Sequence, residues 1–184
     1  MEVLPRTGSR PRQGIRPTSR ATGYPWHEVL VPATSFLVAF ALFAATLVPG
    51  VLSGDSGEFG YHPLVLGIPH PNGYPFYLLT GALWQRLVPF GEPAWKMNLF
   101  SAFWGALAVA WLMAWLKRAL PLWGASLVAG VALAVWPDFW RYSTAAAVYS
   151  LHAFFLVVTP ERLHAWWQRL TAGEPSSRTA HTFS

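Results

Sequence analysis

Two acids and two histidines fall close together in a segment rich in glycine and proline, from residue 53 to residue 73. Asp55 and Glu58 are three residues apart, so a helix that begins here would carry both carboxylates on neighbouring positions. The glycines around them would allow a substrate to approach the backbone closely. The carboxylate pair is therefore a candidate for chemistry on a bound substrate.

The same residues also fit purely structural explanations. Asp55 and Glu58 have the spacing of a capping box, in which acids only satisfy the first amides of a helix. One acid could also cap the helix while the other takes part in catalysis. Glu58 and His62 have helical i, i+4 spacing, so a metal site formed with Asp55 and His70 is a further alternative. The chain has neither cysteine nor a HExxH pattern, and we therefore do not expect a divalent metal.

His70 lies between Pro69 and Pro71, and a residue that precedes proline is biased towards extended backbone. The sequence therefore predicts that its imidazole is held rigidly in an extended turn. A histidine so held could contact a phosphate or a sugar, and one that simply faces solvent fits the same pattern.

The composition excludes an ordinary soluble domain. Of the 184 residues, 53% are hydrophobic and only 11% are charged, against roughly 25% charged residues in soluble proteins. The cations gather in the first twenty residues and at a few later points, which leaves long uncharged windows typical of membrane spans. Lipid headgroups explain cations at the ends of such windows, so the net charge of +5 does not indicate nucleic-acid binding.

The apolar windows predict an all-α, polytopic transmembrane helix bundle with four to five spans. A span needs about 20 residues to cross a hydrocarbon core of about 30 Å. The last window also carries Arg141 and His152 and would partly line a polar interior. The predicted order is a disordered basic arm at 1–28, spans at about 29–52, 74–90, 97–116, 120–136 and 139–158, an outer loop at 53–73, and a polar, disordered tail at 159–184.

Small residues predict how the third and fourth spans pack. Few residues separate these spans, so we expect an antiparallel hairpin. Close approach of the two helices is favoured by two i, i+4 stripes, one made of Ala102, Ala106, Ala110 and Ala114 and the other of Ser126, Gly130 and Ala134.

Arginines decide the predicted orientation. Five of them precede the first span, at positions 6, 10, 12, 16 and 20, and none lies between Ser53 and Gly73. The positive-inside rule then predicts a cytoplasmic N-terminus and an acidic loop on the outer face. With five consecutive spans, Lys117 and Arg118 would lie outside, against the rule. The N-terminal arm carries more cations than this pair, so we let the arm set the predicted orientation.

Three stretches, in this order, resemble a known membrane family. They are Ser53-Gly-Asp-Ser-Gly-Glu-Phe59, Gly67-Ile-Pro-His-Pro-Asn-Gly-Tyr-Pro75 and Asn98-Leu-Phe-Ser-Ala-Phe-Trp-Gly-Ala-Leu107. They resemble a bacterial membrane family catalogued as a domain of unknown function, which is similar to protein O-mannosyltransferases of the GT-C class. The similarity covers roughly residues 29–155, and the ordered run of three motifs is more specific than any one of them.

The resemblance implies a GT-C-like fold and a sugar transfer at the outer face of a cell membrane. An acid of the first outer loop would be the catalytic base, which makes Asp55 the base candidate and Glu58 its partner. The sugar, with mannose as one candidate, would pass from a polyprenyl-phosphate donor to a hydroxyl of a protein or glycan acceptor, and no further cofactor is implied. The implied substrate-binding residues are His62, His70, Asn72, Gly73 and Tyr74.

The chain departs from the family pattern at two positions and in length. Asn72 stands where the family has proline, and Ala147 stands where it has an acid before Val-Tyr. The family continues for several spans beyond Val158, so we expect this chain to be a truncated product. Its expected location is a bacterial inner membrane. The alternative is a non-catalytic membrane subunit or a transporter fragment, although a transporter should bury ionisable residues in mid-span, and the four clearest spans have none near their centres.

Overall fold

The computed structural model describes residues 26–120 and 122–171, so the predicted arm up to residue 25 and the tail beyond Thr171 lie outside it. The described part is folded into α-helices without a strand, which confirms the predicted all-α class. Its seven helices are α1 (Trp26–Ala45), α2 (Asp55–Val65), α3 (Pro75–Leu87), α4 (Pro93–Ala119), α5 (Trp123–Val135), α6 (Pro137–Thr144) and α7 (Tyr149–Thr171).

α4 is the central helix, and each of the other described helices packs against it. Its contact surface is made of small side chains, and Ala102 and Ala106 are fully buried against Phe43 of α1. A Cβ at Gly105 would overlap the buried Ser143 hydroxyl of α6, so glycine permits this close approach. Small residues at contacts are the usual means by which helices associate inside a membrane.

The end of α1 lies beside the start of α4. Asn98 Nδ2 donates hydrogen bonds to the backbone oxygens of Val48 and Gly50, at 2.8 Å and 3.0 Å. At the opposite end of the bundle, Pro32 of α1 and Arg118 of α4 line one shared groove. The two helices are therefore antiparallel, and Arg118 lies at the end of the bundle where α1 begins.

The predicted hairpin of the third and fourth spans is confirmed, because α5 returns along α4. The buried residues of α5 are Ser126, Gly130 and Ala134, the stripe that the sequence predicted. Gly130 faces Met113 of α4, where a Cβ would overlap the methionine side chain. α6 then carries the chain on to the level of the end of α1, since the Thr144 oxygen accepts a hydrogen bond from the Val48 N–H at 3.0 Å.

α3 does not have the geometry of the span predicted over 74–90. It lies beside the first turns of α4, where Gln85 donates to the Pro93 oxygen and Trp84 Nε1 to the Lys96 oxygen, each at 2.9 Å. It has 13 residues, which is about 20 Å of helix. Composition alone does not distinguish the two cases, because an apolar helix packed along a neighbour and an apolar helix in lipid have the same composition.

The segment predicted as a single span over 139–158 is bent by 119° between α6 and α7. The link at 145–148 is hydrogen-bonded to α4, because the Ala146 N–H donates to Asn98 Oδ1 at 2.7 Å and the Ala147 N–H to Ser101 Oγ at 3.2 Å. These side chains replace hydrogen bonds that a continuous helix would make, and the chain turns back along α4.

α7 continues through Pro160 to Thr171, so the tail predicted from residue 159 begins as helix. Glu161 is buried and lies 3.3 Å from Arg118 Nη2 of α4 and 3.1 Å from Arg162 Nε. The ion pair with Arg118 fixes the C-terminal half of α7 to the end of α4. This contact explains why the helix continues where the sequence becomes polar.

One described helix, α4, is by itself long and apolar enough to cross a membrane, and α6 with α7 passes the same criterion only as a bent pair. α5 and the Val29–Ala45 part of α1 are apolar but shorter. Large apolar side chains are nevertheless exposed along the bundle, among them Leu37, Val38, Val128, Val131 and Leu156. An extended apolar surface of this kind suits contact with lipid or with further helices.

Candidate functional site

Asp55 and Glu58 occupy the first turn of α2. The N-cap is Gly54, with a φ of 75°, and no side chain makes a cap hydrogen bond there. The capping-box alternative is therefore wrong, although the first turn of a helix still favours negative charge. The Asp55 side chain is 66% exposed and that of Glu58 44%, so both carboxylates are accessible to a ligand.

His70 lies against both acids. Its Nε2 is 3.3 Å from Asp55 Oδ1 and 3.7 Å from Glu58 Oε2. The backbone of His70 has a φ of 54°, a left-handed conformation that residues other than glycine rarely adopt. The predicted extended turn is therefore wrong, because a tight turn closed by the Gly73 N–H and the His70 oxygen, at 3.1 Å, outweighs the effect of Pro71. Backbone strain of this kind is concentrated at functional sites.

Phe59, on the buried side of α2, packs against His70. Its buried ring contacts the rings of His70 and Tyr74, with centroids 5.7 Å and 5.4 Å away. The hydroxyl of the buried Tyr77 donates to the Phe59 backbone oxygen at 3.1 Å. α2 and the start of α3 are thus fixed to each other, and this contact fixes the imidazole relative to the two acids.

A cavity of about 260 Å³ opens beside these side chains. It is just below the range of about 300–1,000 Å³ typical of drug-sized ligand pockets, so it suits a polar group smaller than a drug-sized ligand. Gly73, with a φ of 68°, shapes the turn that forms one wall. The lining residues are Asp55, Phe59, His70, Pro71, Asn72, Tyr74, Val148 and Tyr149.

His62, predicted to bind substrate, does not line this cavity. It lies in the last turn of α2, and its Nδ1 is 2.9 Å from the backbone oxygen of Glu58. Its ring packs against Gly67, where a Cβ would overlap it. His62 therefore secures the turn after α2. It does not lie with the other three residues of the four-ligand alternative, and among the described residues no three histidine or acidic groups are arranged to hold a metal ion.

Val148 and Tyr149 form the far wall of the cavity and were not identified from the sequence. They follow the link between α6 and α7, which Asn98 and Ser101 hold against α4. A sequence signal was present, because the Val-Tyr pair belongs to the family pattern noted at Ala147. Its distance along the chain from Asp55 concealed its place in the same site.

The arrangement can bind a polar group and accept a proton from it. A carboxylate at a cavity wall can take the proton of a bound hydroxyl, and a neighbouring imidazole can orient that carboxylate or donate to an anion. Asp55, His70, Asn72 and Tyr74, all predicted from the sequence, are brought together here. Glu58 is linked to them through His70.

Comparison with known proteins gives the family. The family described as "Protein O-mannosyl-transferase TMEM260 N-terminal domain" matches residues 55–183. The Protein O-mannosyl-transferase TMEM260 of Mus musculus is 33% identical over 121 residues, which is 66% of this chain and 17% of the relative. The Protein O-mannosyl-transferase tmem260 of Dictyostelium discoideum is 23% identical over 137 residues, 73% of this chain and 17% of the relative. No solved structure matches significantly.

The match begins at Asp55 and extends through α2 to α7, so it includes every helix that lines the cavity. The chain spans 17% of the length of each of these two curated relatives. The resemblance to O-mannosyltransferases is confirmed at the level of the family, while the bacterial origin stays a prediction. The chain therefore belongs to the family of the protein O-mannosyl-transferase TMEM260 N-terminal domain.

Proposed function

We propose that this chain carries the catalytic base and part of the donor site of a membrane glycosyltransferase. The reaction is transfer of a sugar from a polyprenyl-phosphate donor to a hydroxyl group. The names of the relatives make mannose the first candidate sugar and a protein the first candidate acceptor. The carrying observation is that Asp55 and His70 lie 3.3 Å apart at a cavity formed by α2, the turn before α3 and the start of α7.

Asp55 is the proposed base. A serine or threonine hydroxyl is a weak nucleophile at neutral pH and needs a positioned carboxylate, whereas a phosphate leaves as a stable anion. In the proposed step the acceptor oxygen bonds to the anomeric carbon, the bond from that carbon to the phosphate oxygen breaks, and the hydroxyl proton passes to Asp55. The exposed carboxylate of Asp55 is open to an incoming hydroxyl.

The neighbouring residues have supporting roles in this proposal. His70 orients the carboxylates of Asp55 and Glu58 and donates to the donor phosphate. The amide nitrogen of Asn72 offers hydrogen-bond donors to the same phosphate, and the Gly73 turn lets the ligand approach the backbone. Tyr74 closes the cavity towards α3.

An apolar groove next to the cavity suits the lipid chain of such a donor. It has a volume of about 330 Å³, lies between α3 and α7, and shares Tyr74 and Val148 with the polar cavity. A ligand with a polar head and a long apolar tail is complementary to a polar cavity that continues into an apolar groove. The other lining residues are Pro75, Phe76, Tyr77, Leu151, His152 and Phe155.

The distribution of charge supports an orientation with the cavity on the outer face. Arg118 and Arg162 lie at the end of the bundle where α1 begins, and the arginine-rich arm precedes α1 in the sequence. The positive-inside rule assigns this end to the cytoplasm. When α3 is not a span, Lys117 and Arg118 lie inside as the rule requires, while Arg86 and Lys96 lie on the outer side. The arginine-rich arm together with Lys117, Arg118 and Arg162 outweighs these two cations.

We propose four crossings in this part of the chain: α1, α4, α5 continued by α6, and α7. α2 and α3 then lie at the outer surface and hold the acids at the membrane edge. Exclusion of water by the lipid boundary would favour transfer over hydrolysis of the donor.

The test is a transfer assay on a chimera in which this chain replaces the matching N-terminal portion of the mouse relative. Membranes containing the chimera should transfer mannose from a mannosyl-phosphoryl-polyprenol to a serine- or threonine-containing peptide. Absence of transfer, while the unmodified mouse protein is active under the same conditions, would contradict the proposal. Transfer from a nucleotide sugar alone would contradict the proposed donor.

A further inference from the structure

Tyr149 is the most exposed of the three aromatic residues that line the polar cavity, since Phe59 is buried and Tyr74 is half-buried. It is the first residue of α7 and remains 50% exposed. Asp55, His70 and Asn72 line the same cavity on the side formed by α2 and the following turn. The cavity thus presents polar groups on this side, beside the rings of Phe59 and Tyr74, and the exposed ring of Tyr149 on the opposite side.

The ring of Tyr149 is held from behind. Tyr142 packs against it with ring centroids 4.4 Å apart, and Arg141 lies over the Tyr142 ring at 5.7 Å. The buried Ser150 hydroxyl donates to the Tyr142 backbone oxygen at 2.6 Å and so joins the end of α6 to the start of α7. The tyrosine is therefore organised before any ligand arrives, which lowers the entropic cost of binding to it.

A sugar ring matches a cavity of this construction. Its hydroxyls need hydrogen-bonding partners such as a carboxylate, an imidazole or an amide. Its C–H face is apolar and packs favourably on a rigid aromatic side chain that is apolar on its face and polar at its tip. An aromatic residue that only anchors a helix at the membrane surface would need no polar groups opposite to it.

We propose that Tyr149, backed by Tyr142, is the surface on which the sugar ring of the lipid-linked donor packs. The inference rests on the proposed function for the donor class and adds the residue that recognises the sugar. It assigns sugar recognition to α7 and leaves the reacting groups on α2 and the turn before α3.

The experiment measures binding by the full chain in lipid nanodiscs of two probes, mannosyl-phosphoryl-polyprenol and polyprenyl phosphate of the same chain length. The wild-type chain should bind the sugar-bearing lipid more tightly than the sugar-free lipid. Tyr149→Leu should reduce this ratio by about threefold to tenfold, in keeping with the strength of an aromatic contact, and should leave binding of polyprenyl phosphate unchanged. Tyr149→Phe, which keeps the ring face, should restore the ratio.

Tyr61→Leu is the matched control, because Tyr61 is 56% exposed and is not among the residues that line the cavity. It should leave the ratio unchanged. An undiminished ratio in Tyr149→Leu, or equal wild-type affinity for the two lipids, would overturn the role of Tyr149 while the lipid site stands. Failure of the wild-type chain to bind either lipid would overturn the proposed donor site and this inference together.

Discussion

Asn98 and Ala146 are joined by a hydrogen bond of 2.7 Å, which the Ala146 backbone N–H donates to Asn98 Oδ1. The amide of the same side chain donates to the oxygens of Val48 and Gly50. One buried side chain thus ties the segment after α1, the start of α4 and the link before α7. The cavity wall that carries Tyr149 depends on this tie.

Asn98→Ala should lower the free energy of unfolding by about 2–4 kcal/mol. The Ala146 N–H would be left buried without its partner, at about 1–3 kcal/mol, and two carbonyl groups would lose their donor. Thermal unfolding of the detergent-solubilised chain measures the effect. Asn72→Ala, at an exposed asparagine, is the control and should change stability by no more than about 0.5 kcal/mol. Equal melting temperatures for the two variants would contradict the role of Asn98.

The helices and the acids of the site could be predicted from the sequence because both are local signals. Ala102 and Gly130 repeat at helical spacing with other small residues, and the structure buries both positions. Asp55 and Glu58 are close in the chain and fall on the same turn of α2. Patterns within about 20 residues were sufficient for these features.

The features that failed depend on contacts between distant parts of the chain. α3 resembles a span until Asn98, at the start of α4, is found bonded to the oxygens of Val48 and Gly50 after α1, which places both ends of the intervening segment at the same end of the bundle. The bend after α6 requires Asn98, which is far away in the sequence. The left-handed φ of His70 is by contrast a local feature, in which a turn and the packing of Phe59 outweigh the preference for an extended residue before proline.

His70→Asn tests the contribution of the imidazole apart from that of the strained backbone. Asparagine tolerates a left-handed conformation, so the melting temperature should change little. The affinity for the lipid-linked donor should fall about tenfold or more, because a hydrogen bond to a charged group is worth about 1.5–3 kcal/mol. His70→Ala should lower the affinity as well, and it should lower the melting temperature more than His70→Asn does, since alanine loses the ring contact with Phe59 without gaining the tolerance of asparagine for a left-handed backbone. Unchanged donor affinity in His70→Asn would exclude a role for the imidazole.

The absence of cysteine allows the topology to be tested by single cysteine substitutions. Gly57→Cys and Glu92→Cys should both react with a membrane-impermeant thiol reagent applied outside intact cells. Gly124→Cys, at a position where a Cβ meets no neighbour, should react only after the membrane is permeabilised, as should Ser19→Cys in the N-terminal arm. Glu92→Cys is the decisive variant, because labelling only after permeabilisation would mean that α3 crosses the membrane.

The base role of Asp55 is tested most directly by the rate of mannose transfer in the Asp55→Asn variant of the chimera. The substitution keeps the shape of the side chain and removes its capacity to accept a proton, and no cap hydrogen bond depends on it. Asp138→Asn, at an exposed acid in the first turn of α6, is the matched control and should transfer at the normal rate. The account predicts that Asp55→Asn binds the donor normally and transfers the sugar about a hundredfold or more slowly, since a positioned base contributes about 10²- to 10⁴-fold. A transfer rate near that of the unsubstituted chimera would contradict it.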